Sequence, residues 1–185
     1  MFFILLTFFV TNSLGQIIIS EYPNYTSISD FQTSKFTGIW YDIWYIPNRY
    51  DAGQKCQFYK ATSYQNDSLN MDFSFTNIKT GIKKNLVGLA IPKKSCSSVF
   101  DFYLPKNKYS GTLTVLDTDY SNYCVVSWVE PREDHSSYWQ YAWIESRKPT
   151  LSNELYKYCL EVLKKNNIST KLEANDQQNC CYSNY

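Results

Sequence analysis

His135 is the one histidine in this sequence, the side chain whose ordinary pKa best suits acid–base work near neutrality. It ends the run Glu130-Pro131-Arg132-Glu133-Asp134-His135, a charged turn where solvated loop residues belong. A Ser-His-Asp or Cys-His site would need that imidazole buried beside its nucleophile. No zinc-ligand spacing, phosphate-binding glycine loop or nucleophile elbow occurs elsewhere. The residues therefore point away from catalysis: no enzyme, no metal and no required cofactor are expected.

The six cysteines carry the remaining reactive groups, and their meaning depends on compartment. Residues 1–10 are almost continuously apolar, and no charged residue precedes Glu21. The run, about ten residues, is too short to span a bilayer. Thr11-Asn12-Ser13-Leu14-Gly15 follows it, a small-residue stretch of the kind cut by signal peptidase. We read 1–15 as a signal peptide, 16–35 as an N-terminal extension and 36–185 as one domain. A secreted, extracellular protein with disulfides is then expected. The sequons Asn24-Tyr25-Thr26, Asn66-Asp67-Ser68 and Asn167-Ile168-Ser169 make Asn24, Asn66 and Asn167 the expected glycosylation sites. No later segment is long and apolar enough to cross a membrane as a helix. A net charge of +1 with no basic stripe argues against nucleic acid and anionic lipid as partners.

What the chain has in excess is aromatic surface: 18% of residues, with 17 tyrosines. Such side chains suit the wall of an apolar pocket, and some architecture must gather them. From 36 to 146 short β-rich runs alternate with turns at about 10–15 residues per unit, as in an antiparallel sandwich or barrel. The runs are 38–47, 56–64, 69–77, 82–91, 99–104, 111–117, 123–129 and 138–145. Eight consecutive strands with short links form an up-and-down meander, and eight close into a barrel that holds one small ligand. The period then changes. Leu155, Tyr158, Cys159, Val162 and Leu163 form one face of a helix. Ser152 is its expected N-cap, and Asn166-Asn167 its left-handed stop. The fold class is thus all-β: an eight-stranded antiparallel barrel with one C-terminal α-helix packed outside.

Alternation selects the inner wall. We choose Phe100 and Phe102, Leu113 and Val115, Val126 and Trp128, and Tyr141 and Trp143, with Tyr59, Met71, Phe73 and Phe75 completing the set. Glu145 shares the Trp143 face near the closed end, and a buried carboxylate there needs a partner, from Arg147 or Tyr41, unless the strand simply ends first. Cys124 shares a face with Val126 and Trp128. A small buried thiol is the plain reading of it; a covalent link to a bilin is the sharper one. Tyr50, Tyr103 and Tyr109 are expected lid residues on the mouth loops.

Three short motifs, in order over about 110 residues, resemble the lipocalin family: Gly38-Ile39-Trp40-Tyr41 on the first strand, Thr118-Asp119-Tyr120 before the seventh, and Arg147 after the eighth. Further stretches are similar to the apolipoprotein D and insect bilin-binding group: Asp42-Ile43, Ile46-Pro47, Ser121-Asn122-Tyr123, Ala142-Trp143-Ile144 and Asn166-Asn167-Ile168. The resemblance implies that Trp40 and Arg147 close one barrel end structurally, ring against guanidinium. It implies a disulfide between Cys56 and Cys180, with Cys181 the alternative partner. It implies a pocket role for Trp143. The expected function is a carrier or store of a small hydrophobic ligand such as a bilin, retinoid, sterol, fatty acid or pheromone. The alternative is a secreted interaction protein that uses its mouth loops, with little or no ligand. A cell-surface receptor would be the macromolecular partner, and the expected state is a monomer or weak oligomer.

Overall fold

Eight antiparallel strands follow one another in chain order: β2 (Gly38–Tyr45), β3 (Gln54–Ser63), β4 (Leu69–Asn77), β5 (Lys83–Lys93), β6 (Cys96–Leu104), β7 (Tyr109–Thr118), β8 (Tyr123–Pro131) and β9 (Tyr138–Ser146). Each pairs with its neighbour, and β9 returns to β2 with Tyr41 opposite Ser146 and Tyr45 opposite Trp143, so the sheet closes. This computed structural model describes residues 16–104, 109–134 and 136–182, without the side chains of Tyr109 and Ser110. The leader read at 1–15, the histidine at 135 and the lid role of the Tyr109 side chain therefore lie outside the described residues.

The stretch read as a plain extension holds two small elements. β1 (Ile17–Ile19) pairs with β9, Ile17 opposite Gln140. α1 (Thr33–Phe36) is a single turn that pushes Phe36 into the barrel's end. Neither has the length or periodicity that marks an element in sequence; packing alone makes them.

Two apolar cores result. One fills the barrel from Phe31, Phe36 and Trp40 at the closed end up to Trp128 and Tyr141. The other lies outside, where α2 (Asn153–Lys165) sets Cys159, Val162 and Leu163 on Leu116, Val125, Ala142 and Ile144. β8 is thus buried on both faces over 123–130, which explains why its sequence is apolar without alternation. Ser152 caps α2, its Oγ accepting from the Leu155 N–H at 3.2 Å. Asn167 turns the chain out of the helix at φ +55°, a conformation asparagine tolerates better than most residues. Cys124 lies in the inner core and Cys159 in the outer one, and both remain free thiols.

The closed end is built around Arg147. Its guanidinium carbon stands 3.7 Å from the Trp40 ring centre. Its nitrogens donate to the carbonyls of Tyr120 (2.9 Å), Ile39 (2.9 Å), Lys35 (3.1 Å) and Phe36 (3.3 Å). Gly38 opens β2 at φ +104°, and a Cβ there would lie 3.0 Å from an Arg147 nitrogen. The backbone conformation is what calls for glycine at that position, and a Cβ would in addition press on the guanidinium. In the β7–β8 turn, the Asp119 carboxylate accepts from the N–H groups of Ser121, Asn122 and Tyr123, which holds Tyr120 over Phe31.

β2 pairs with β3 only from Gly38 to Tyr41. Beyond that the strands part, and the C-terminal segment fills the opening. β10 (Glu173–Ala174) pairs with Tyr45 and Trp44. The Gln177 amide donates to the carbonyls of Asp42 (2.8 Å) and Gln57 (2.7 Å). Cys56 and Cys180 are joined as a disulfide across 124 residues, so Cys180 rather than the adjacent Cys181 is the partner of Cys56.

Candidate functional site: the barrel cavity

Between the closed end and the mouth the interior is not filled. A cavity of about 150 Å³ remains. Its wall carries nine of the twelve residues chosen by alternation: Tyr59, Met71, Phe73, Phe75, Phe102, Leu113, Val126, Trp128 and Trp143. The other three point inward but lie off the wall. Phe100 packs down against Phe31, ring centres 5.8 Å apart. Val115 is fully buried among the inner core residues. Tyr141 is covered by Trp128, stacked at 5.1 Å, and its hydroxyl donates to Glu130 at 2.9 Å. Period two fixes the face of a strand residue but not its depth, and depth separates these three from the rest.

The rings form a continuous belt. Tyr59 meets Phe73 at 5.3 Å, Phe73 meets Phe102 at 6.1 Å, and Phe102 meets Trp128 at 5.8 Å. Tyr50 lies 5.2 Å from Trp128 and tops the belt from the β2–β3 loop. That loop is fastened by Arg49, whose guanidinium donates to the Glu130 carboxylate at 2.8 Å. Tyr103 is not a lid: it is 40% exposed on the outer face, because its neighbours Phe102 and Leu104 take the inner one. Gly111 is what lets Trp128 lie against β7. A Cβ at that position would fall 1.9 Å from the Trp128 Nε1, a distance no side chain can occupy.

One stretch of the wall is polar. Asp42, Asp51, Gln57 and Glu145 meet there. Asp42 and Glu145 face each other across the β2–β9 ladder. Glu145 accepts from the Tyr59 hydroxyl at 2.7 Å. The expected partners were Arg147 or Tyr41, and neither makes that bond. Arg147 spends its donors on backbone carbonyls, and Tyr41 points outward onto Phe58 and Tyr182. Asp51 accepts from the Trp143 Nε1 at 2.9 Å and from the Asn48 side chain. Burial pushes Glu145 up to about 8 and Asp51 up to about 6. Burial, reinforced by Glu145 and Asp51, drives Asp42 well above the usual carboxylate range.

Alternation missed five wall residues: Asp42, Asp51, Gln57, Leu86 and Leu104. Two had a signal. Asp42 has the parity of Trp40, and Leu104 that of Phe102. Asp51 sits in a loop, where no period applies, and Gln57 follows a register shift between Lys55 and Phe58. Cys124 is fully buried beside Glu145 and is not among the wall residues. Among the described residues no group of histidine, cysteine and acidic side chains could hold a metal, and no helix is long and apolar enough to cross a membrane.

No protein-family profile and no curated protein matches the sequence. Solved structures do match the fold. Lobster apocrustacyanin A1 superposes with a TM-score of 0.70 at 19% identity, over 90% of this chain and 93% of that one. Insecticyanin from the tobacco hornworm Manduca sexta gives 0.71 at 24% identity, over 88% and 89%. The cockroach allergen Per a 4 gives 0.68 at 22% identity, over 85% and 96%. This is the lipocalin fold. Within the lipocalin fold the Trp40–Arg147 pair marks the closed end, and the aromatic belt and its acidic stretch lie in the barrel above it.

Proposed function

We propose that the chain is a lipocalin by family as well as by fold, a secreted carrier or store of a small hydrophobic molecule held in the barrel cavity. The observation that carries this reading is the open, ring-lined cavity above a sealed barrel end. A closed sheet would gain stability by packing its interior solid; an unfilled wall of Phe73, Phe102, Trp128 and Trp143 is surface kept for a guest. The guest is held without covalent chemistry. A bilin or retinoid is within the class, and no cofactor is needed. The disulfide supports an oxidising, extracellular setting. Asn24, Asn66 and Asn167 are all exposed, so each sequon is open to glycosylation.

The purified protein is titrated with retinol and with biliverdin while tryptophan emission is followed. Saturable quenching at one guest per chain is expected, reduced at least fivefold in affinity by Trp143→Ala. Absence of quenching by either compound, together with no small molecule retained in native mass spectrometry of material from the native source, would overturn the reading in favour of a mouth-loop interaction protein.

A further inference from the structure

The acidic stretch of the cavity wall has no function in a barrel built only for neutral, greasy guests. Asp42, Asp51 and Glu145 are 8%, 4% and 3% exposed, and all three reach the wall. Two have donors: the Tyr59 hydroxyl and the Cys124 thiol serve Glu145, and the Trp143 indole and Asn48 amide serve Asp51. The Asp42 carboxyl has no hydrogen-bond partner among the described residues, although its backbone carbonyl is bound by Gln177. Gln57 turns its amide toward Asp51, but its Nε2 closes no hydrogen bond. Among the described residues no lysine or arginine lines the wall. Arg147, whose charge acts on Glu145, has its guanidinium committed to backbone carbonyls and the Trp40 ring below.

Three buried acids with few donors and no hydrogen-bonded cation are costly unless something completes them. Ordinary packing offers no compensation here, because the groups border empty space. We infer that the guest carries a protonated amine on a compact aromatic or apolar body, the ammonium lodging between Asp42, Glu145 and Asp51 and the body lying in the ring belt. The inference rests on the carrier reading and specifies its ligand class. The geometry suits the task. An ammonium has three donors and no acceptor, and three carboxyl groups offer acceptors on one side of the cavity. Phe73, Phe102, Trp128 and Trp143 offer ring faces on the others. A guest whose carboxylate must lie against this acidic stretch is disfavoured by the same wall. In the empty barrel the acids accommodate one another by holding protons: Asp42 is raised well above its ordinary range and Glu145 to about 8. The groups that face them are Tyr59 from β3, Cys124 from β8, Arg147 beyond β9 and Asp51 from the β2–β3 loop. An arriving cation favours their ionised forms, so binding at neutral pH releases protons.

Three probes of matched shape test this by calorimetry on the intact chain: tryptamine, its neutral isostere 3-propylindole, and indole-3-propionate. Tryptamine is expected to bind at least 30-fold tighter than 3-propylindole, and indole-3-propionate weakest. Asp42→Asn and Glu145→Gln are each expected to cut tryptamine affinity at least tenfold and to reduce its advantage over 3-propylindole by at least fivefold. Both replacements keep side-chain volume and the uncharged state that the acids hold in the empty barrel, and circular dichroism reports that they fold. Repeating the titration in buffers of different ionisation enthalpy should show net proton release with tryptamine and none with 3-propylindole. Equal affinity for tryptamine and 3-propylindole, or no loss in Asp42→Asn, overturns the amine inference and leaves the carrier reading standing. Failure of all three probes, joined to the absence of retinol and biliverdin quenching, removes both.

Discussion

Glu145 is held by a single hydroxyl, that of Tyr59, in a space that excludes most water. Its acidity is therefore set by desolvation, which outweighs the help from Tyr59, Arg147 and Cys124 and pushes it up to about 8 from an ordinary 4.5. Asp51 follows, from 3.8 to about 6, against hydrogen bonds from Asn48 and Trp143. The sign of the consequence is definite. Between the unfolded and folded values the unfolded chain has lost the proton and the folded chain has kept it, so stability falls as pH rises through that window. The fall begins near the ordinary carboxylate values and is complete above about pH 8. Thermal melts at pH 5, 6.5 and 8 should show a progressive loss on the order of 2–4 kcal/mol in total, a drop of about 5–10 °C in Tm. Glu145→Gln keeps the Tyr59 contact without the charge and should flatten the profile and raise Tm at pH 8. A wild-type Tm that climbs toward pH 8 would contradict the burial of this cluster.

At the scale of the element, the sheet determines how the rings can lie. Gly111 on β7 stands where a Cβ would meet the Trp128 indole and also the Val129 carbonyl, the latter at 2.7 Å. Gly111→Ala must therefore move either the ring or the β7–β8 ladder. A destabilisation of about 2–3 kcal/mol is expected, with quenching by retinol weakened because Trp128 is displaced into the cavity. An unchanged melt and titration would show that the ring does not rest on that strand. The same element shows what could be read from sequence. Alternation in β4 and β6 assigned faces because each has a wetter side and a drier side, and in β7 because threonines alternate with Leu113 and Val115 although both faces are covered. The helix was legible for a similar reason: its Ser152 cap and apolar stripe are local. What stayed hidden was non-local. α1 exists because Phe36 has a barrel end to plug, and β1 because β9 leaves an edge free near Gln140. The tally of wall residues failed on depth, at Phe100, Val115 and Tyr141, and on loops, at Asp51.

For the whole molecule the weak point of closure is the opening between β2 and β3 beyond Tyr41, and three separate devices of the C-terminal segment converge on it. β10 supplies strand pairing to Tyr45 and Trp44, Gln177 satisfies the carbonyls of Asp42 and Gln57, and Cys180 bonds Cys56. The Cys56 N–H also donates to the Asp176 carbonyl at 2.8 Å, so the covalent bond and the backbone bond act on the same residue. This is where the barrel would otherwise admit water to Asp42 from the side, and the seam must hold for the acidic stretch to remain dry. A cross-link closing a loop of this order restricts the unfolded chain by about 4–5 kcal/mol in the chain-entropy account. Cys180→Ser should therefore lower stability by an amount of that order, read as a fall in urea midpoint with a steeper slope, because the unfolded chain without the cross-link is more expanded. The seam argument makes a second, independent demand. Gln177→Ala leaves the disulfide in place but frees two carbonyls at the opening, so hydrogen exchange at the amides of β2 from Asp42 to Tyr45 should accelerate while the core of β8 stays protected. Equal protection of both strands in that variant would mean that the β2–β9 ladder alone keeps the barrel shut, and the C-terminal segment would lose the sealing role assigned to it.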